Sequence, residues 1–136
     1  MRAIFPPGSE ASAQALRLSP GVLSNGHIFV TGMTGSAADG SMPQDPAEQF
    51  HAAFAKIRSV LHAAGTDTDA IVEMTSYHVG IDNHFDIFND VRSAYVSDPF
   101  PAWTAVEVAA LRRPGALVEI RVIAAVPMQQ PEENNT

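Results

Sequence analysis

Two short runs near the end of the chain carry polar side chains where the surrounding pattern is apolar, and their alternate residues are the best placed to do chemistry. In residues 101–108 (Pro-Ala-Trp-Thr-Ala-Val-Glu-Val) the set is Trp103, Ala105 and Glu107; in residues 117–122 (Leu-Val-Glu-Ile-Arg-Val) it is Glu119 and Arg121. Side chains alternate along a strand, so each set shares one face of its own strand. If the two strands pair as a hairpin, the two faces coincide. A glutamate held beside apolar surface has its charged form disfavoured and can then exchange protons near neutral pH, and Glu119 is a candidate for such a group. On the residues alone a plainer reading is favoured, in which Arg121 pairs with Glu107 or Glu119 and only fixes strand register.

Other chemistries lack their residue sets. The absence of cysteine rules out disulfides, thiolate metal sites and cysteine nucleophiles, and it fits a reducing cytoplasm. The five histidines, His27, His51, His62, His78 and His84, show no His-Glu-x-x-His spacing, so no metal site is expected and they read as surface or interface side chains. Residues 32–36 (Gly-Met-Thr-Gly-Ser) lack the lysine of a phosphate-binding loop, and no Gly-x-Ser-x-Gly nucleophile elbow occurs. A formal charge of −7, with the eight basic residues clustered only at Arg112-Arg113, disfavours nucleic acid as a partner. No apolar run approaches the ~20 residues that cross a bilayer, so no membrane partner is expected. Pro6 and Pro7 interrupt the start before a signal-peptide core develops, and a cytoplasmic location is the expectation.

The elements that must position these residues follow from pattern. A chain of 136 residues with 46% hydrophobic and 17% charged residues suits a single core, expected over residues 1–128, with a polar, frayed tail at 129–136. Residues 27–32 read as a strand, paired through the Ser24-Asn25-Gly26 turn with a weaker strand within residues 16–23. Residues 35–45 read as a loop. Asp45-Pro46-x-Glu48 starts a helix whose stripe is Phe50, Ala53, Phe54, Ile57, Leu61 and Ala64, ended by Gly65. A buried strand is expected over residues 71–79. A second helix starts near Asp82-Asn83, buries Phe85, Phe88, Val91 and Tyr95, and stops at Asp98-Pro99. Two final strands, residues 104–110 and 117–126, flank a turn at residues 112–115 and are expected to form a hairpin. The order predicts an α/β sandwich, one mixed sheet with two helices on a single face, and the bare face is expected to pack against further copies of the chain.

A resemblance rests on particular residues. Pro101-Ala102-x-Thr104-Ala105-Val106-Glu107-Val108-Ala109-Ala110-Leu111, then Val118-Glu119-Ile120, resembles the C-terminal signature of the Rid (reactive intermediate deaminase, YjgF-like) family, also described as endoribonuclease L-PSP. Phe29-Val30-Thr31-Gly32 is similar to its early strand ending in Ser/Thr-Gly, and the spacing of both helices and of Ala63-Ala64-Gly65 extends the likeness over residues 19–126. The resemblance implies a chorismate-mutase-like fold and a homotrimer with small-molecule clefts between subunits. It also implies hydrolysis of enamines and imines to keto acids and ammonia without a cofactor. A glutamate matching Glu119 positions the water in that family, and the strand-end Thr31-Gly32 and the residue matching Ala105 contact the substrate.

The family's carboxylate-clamping arginine falls at Trp103 in this sequence, so no bidentate clamp can form there. Pro-Ala-Trp-Thr-Ala-Val looks like the form found in the YjgH-like branch. Arg121, where better-known members tend to carry a second glutamate, is a candidate to restore an anion contact. The expectation is an imine or enamine hydrolase of altered substrate range. The alternative is a non-catalytic binding protein in which Trp103 borders a site for an aromatic or heterocyclic metabolite.

Overall fold

The computed structural model describes residues 1–127; the tail expected at 129–136 lies outside the described residues. In chain order the elements are β1 (Arg2–Ile4), α1 (Glu10–Leu16), β2 (Gly21–Ser24), β3 (His27–Met33), α2 (Pro46–Ala63), β4 (Ile71–His78), α3 (Phe85–Arg92), β5 (Ala102–Glu107) and β6 (Val118–Ala125). Single 3-10 turns at Thr68–Ala70 and Ile81–Asn83 precede β4 and α3. The strands form one mixed six-stranded sheet in the order β1-β2-β3-β6-β4-β5.

Helix α2 has its ends set by local chemistry. The Asp45 carboxylate accepts the Glu48 N–H at 3.0 Å, and Pro46 needs no partner for an N–H it lacks. At the other end Gly65 takes φ +84°, which lets its N–H reach the His62 carbonyl and the Thr66 N–H reach that of Leu61, both at 3.0 Å. The apolar stripe between these caps buries Phe50, Phe54, Ile57 and Leu61 completely against Ile28, Val30, Ile120 and Val122 of the sheet. Phe88 of α3 joins the same core, edge-on to Phe50 at 5.3 Å. The opposite face of the sheet leaves Phe29, Val72 and Val106 exposed.

Three expectations are corrected, and two elements are new. Strands β5 and β6 do not form a hairpin, because β4 lies between them, parallel to β5 and antiparallel to β6. The reason is the order of elements: α3 carries the chain back across the sheet before β5, and a strand reached by such a crossover lies parallel to the one it left. Strand β1 and helix α1 were not foreseen, since three residues and a seven-residue alanine-rich segment carry too little periodicity. Leu16 belongs to α1 rather than to the strand before the first hairpin. Helix α3 ends at Arg92, well before Asp98-Pro99, although Tyr95 still stacks on Phe54 at 4.6 Å. No helix among the described residues is long and apolar enough to cross a membrane.

Candidate active site

Strand β3 is irregular where it meets β6. Val30 pairs with Val122 and Met33 with Ile120, so Thr31 and Gly32 together oppose Arg121 alone. Such a bulge bends the strand and re-aims the residues that follow it. Gly32 lies so close to Glu119 that a Cβ at this position would collide with the glutamate's carboxylate, 2.9 Å from its Cδ. Only glycine leaves that carboxylate its place. Thr31 is anchored from the other side, its N–H donating to the Pro20 carbonyl at 2.9 Å.

These three residues border a cavity of about 440 Å³ at the end of the sheet where β3 leaves and β6 enters. Lys56 of α2 and Arg112 and Arg113 of the loop before β6 complete its charged lining, with Thr34 and Ser36 supplying hydroxyls. The loop is held by Gln49, which is almost fully buried on α2. Its amide nitrogen donates to the carbonyls of Pro43 at 3.0 Å and Gly115 at 3.2 Å, and its oxygen accepts the Leu117 N–H at 2.6 Å. The backbone entering β6 is thereby fixed two residues before Glu119. Gly35 packs against the Gln49 backbone with no room for a side chain.

The sequence-derived site is divided. Thr31, Gly32 and Glu119 meet in this cavity, whereas Trp103, Ala105 and Arg121 do not line it. Trp103 pairs with Met74 and Ala105 with Ser76, two residues buried on the helix-covered face of β4, while Glu119 pairs with Tyr77 on the other face. The shared face expected for Trp103, Ala105, Glu107 and Glu119 is therefore corrected, since it depended on a hairpin that does not form. Arg121 faces the same side as Glu119 and reaches Glu73 at 3.8 Å, not Glu119 or Glu107. Glu107 instead accepts the Ile81 N–H at 3.0 Å.

Trp103 belongs to a polar chain that the sequence did not reveal. Its Nε1–H donates to Ser76 Oγ at 2.9 Å, Ser76 Oγ meets His78 Nε2 at 2.8 Å, and His78 Nδ1 meets His84 Nε2 at 3.2 Å. The indole stacks parallel to Phe85 at 5.7 Å, with the Arg92 guanidinium 3.8 Å over its ring. His78 and His84 are buried, which corrects their expected surface placement. Burial, and then the neighbouring His84, push His78 down to about 4; burial lowers His84 as well. Both rings are neutral near pH 7. The one available signal was that His78 alternates with Met74 and Ser76 on a single strand face.

Comparison with known proteins agrees with this architecture. The Endoribonuclease L-PSP family profile matches residues 9–126. The RutC family protein YjgH of Escherichia coli (strain K12) is 37% identical over 128 residues, covering 93% of this chain and 96% of its own length. The 2-iminobutanoate/2-iminopropanoate deaminase of Bos taurus is 38% identical over 108 residues, covering 78% and 77%. A solved structure of protein YjgH superimposes with a TM-score of 0.84 at 36% identity, covering 94% of this chain and 98% of that one. Rv2704 of Mycobacterium tuberculosis, a member of the YjgF/YER057c/UK114 family, gives a TM-score of 0.78 at 30% identity, covering 93% and 100%. The bulged Thr31-Gly32 strand, the Glu119 strand and the sheet that joins them thus belong to a chain that is a member of the endoribonuclease L-PSP family, the YjgF-like or Rid family.

Proposed function

We propose that this chain is a hydrolytic deaminase of reactive imines and enamines, with Glu119 as the group that handles the attacking water. The observation that carries the reading is the Glu119 carboxylate seated against the side-chain-free surface of Gly32 at the wall of a cavity. Imine hydrolysis needs only water and proton transfer. Water adds to the C=N carbon, one of its protons passing through the carboxylate to the nitrogen. The resulting carbinolamine then loses its C–N bond, so that ammonia leaves and a carbonyl remains. A positioned carboxylate can serve as base for the first step and acid for the second. The relatives named 2-iminobutanoate/2-iminopropanoate deaminase support the substrate class.

On this reading the substrate range differs from that of members with an arginine at the position of Trp103. Tryptophan offers a single donor, and that N–H is already given to Ser76, so a substrate carboxylate finds no clamp there. The indole N–H, engaged internally, is not available to a ligand, which weighs against the alternative of an aromatic-metabolite site built on Trp103. The proposed assembly is a homotrimer with its ligand clefts between subunits; the exposed Phe29, Val72 and Val106 on the uncovered sheet face favour burial against other copies. The test is a panel of imines generated in place by an amino-acid oxidase and followed by ammonia release. Acceleration of at least one above the uncatalysed rate is expected, and a flat response across the panel would remove the hydrolase reading.

A further inference from the structure

The charge lining the Glu119 cavity is unusual for this protein. Acidic residues outnumber basic ones 15 to 8, yet three of the basic side chains, Lys56, Arg112 and Arg113, border one cavity. Among the described residues, the ion pairs are Arg58–Asp67, His62–Asp67 and Arg121–Glu73, none of which uses them. Lys56 is half-buried, and its ammonium donates to the neutral Ser36 Oγ at 3.2 Å. Against these three cations the lining sets one carboxylate, that of Glu119, so the cavity carries a net positive charge that favours an anion. Burial, and then the charge of Arg113, push the Lys56 ammonium below its ordinary range.

We infer that Lys56 and Arg113, with Arg112 at the rim and the hydroxyls of Thr34 and Ser36 between, form an anion subsite. It would hold a carboxylate or phosphate group of the molecule whose reactive carbon faces Glu119. The inference rests on the proposed hydrolase reading and deepens it: the substrate is an anionic imine or enamine, held from the α2 side of the cavity. Bidentate guanidinium contacts and a partly desolvated ammonium are the donors such groups select.

The test is a titration of the nitrogen-labelled full chain with inorganic phosphate or with propionate at constant ionic strength, following the amide resonances of Gly32, Thr34 and Ser36. Saturable shifts are expected in the wild type with at least one anion, and which anion saturates identifies the group. Affinity should fall about tenfold or more in Lys56→Met and in Arg113→Gln. It should be kept in Lys56→Arg and in Arg121→Gln, whose arginine lies outside the cavity. Shifts that never saturate, or equal affinity in wild type, Lys56→Met and Arg113→Gln, would overturn the subsite. Hydrolysis of uncharged imines with no saturable anion response would remove the subsite and leave the hydrolase reading. Saturable binding without hydrolysis of any imine would do the reverse.

Discussion

Trp103 and Glu119 point to opposite faces of one sheet. The tryptophan stands over Met74 and Ser76 beneath α3, and the glutamate stands beside Tyr77 on the face the helices leave uncovered. One chain cannot close both around a small ligand. A cleft containing both would need Trp103 from one copy and Glu119 from another. Within a single chain the proposed chemistry falls to Glu119 with Thr31 and Gly32, and Trp103 anchors α3 to the edge strand.

That division predicts a clean split for Trp103→Phe. The ring still fills the space beside Phe85, but the hydrogen bond to buried Ser76 is lost. Urea denaturation should show a loss of about 1–2 kcal/mol, with hydrolysis of an accepted imine little changed. Loss of activity at unchanged stability would instead place Trp103 at the reacting centre.

The buried histidine pair makes stability depend on pH. His78 titrates at about 4 in the folded chain, against 6.5 as its ordinary value, and His84 is lowered in the same direction. Between those values the unfolded chain binds protons that the folded chain refuses. The contribution is therefore complete above about pH 7 and declines as pH falls from 6.5 towards 4, at about 1.4 kcal/mol per unit of pKa difference. Asp67 is held well below the usual carboxylate range, first by the Thr68 N–H, so it stays ionised in this window and does not mask the trend. Denaturation midpoints measured across the window should fall with pH in the wild type and fall less in His78→Leu.

Gln49 should be the most sensitive polar residue outside the cavity. Gln49→Leu leaves the carbonyls of Pro43 and Gly115 and the Leu117 N–H without their partner. A loss of roughly 3 kcal/mol or more is expected in denaturant melts. Activity should fall too, because the segment entering β6 sets the position of Glu119.

The proposed trimer predicts a light-scattering mass near three times the 14.5 kDa of one chain. Phe29→Glu or Val106→Glu, each placing a charge on the uncovered face, should shift the mass to that of a single chain. A wild type that elutes as one chain would contradict the assembly.

What could be read from the sequence was what is local. Asp45-Pro46 and Gly65 bracket α2, the Phe50-to-Leu61 stripe faces the core, and Asn25-Gly26 turns β2 into β3, because caps, periodicity and turn chemistry act over a few residues. Strand neighbours are not local information. The insertion of β4 between β5 and β6 decided which face Trp103 shares, and nothing in residues 101–122 encodes it. The Glu119–Gly32 contact was legible only through family likeness, and the basic lining drew no notice because Lys56 and Arg113 lie far apart in the chain. His78 and His84 stayed hidden because a buried neutral histidine looks like any other in sequence.

If the Glu119 carboxylate handles the attacking water, ammonia release from an accepted imine must separate wild type from Glu119→Gln under single-turnover conditions. The amide keeps the shape against Gly32 and removes the proton-transfer group. A rate lowered by about a hundredfold or more, in a variant with wild-type melting and oligomeric mass, is the predicted result. An equal rate in the two proteins would show that the Glu119 carboxylate plays no part in the water's attack.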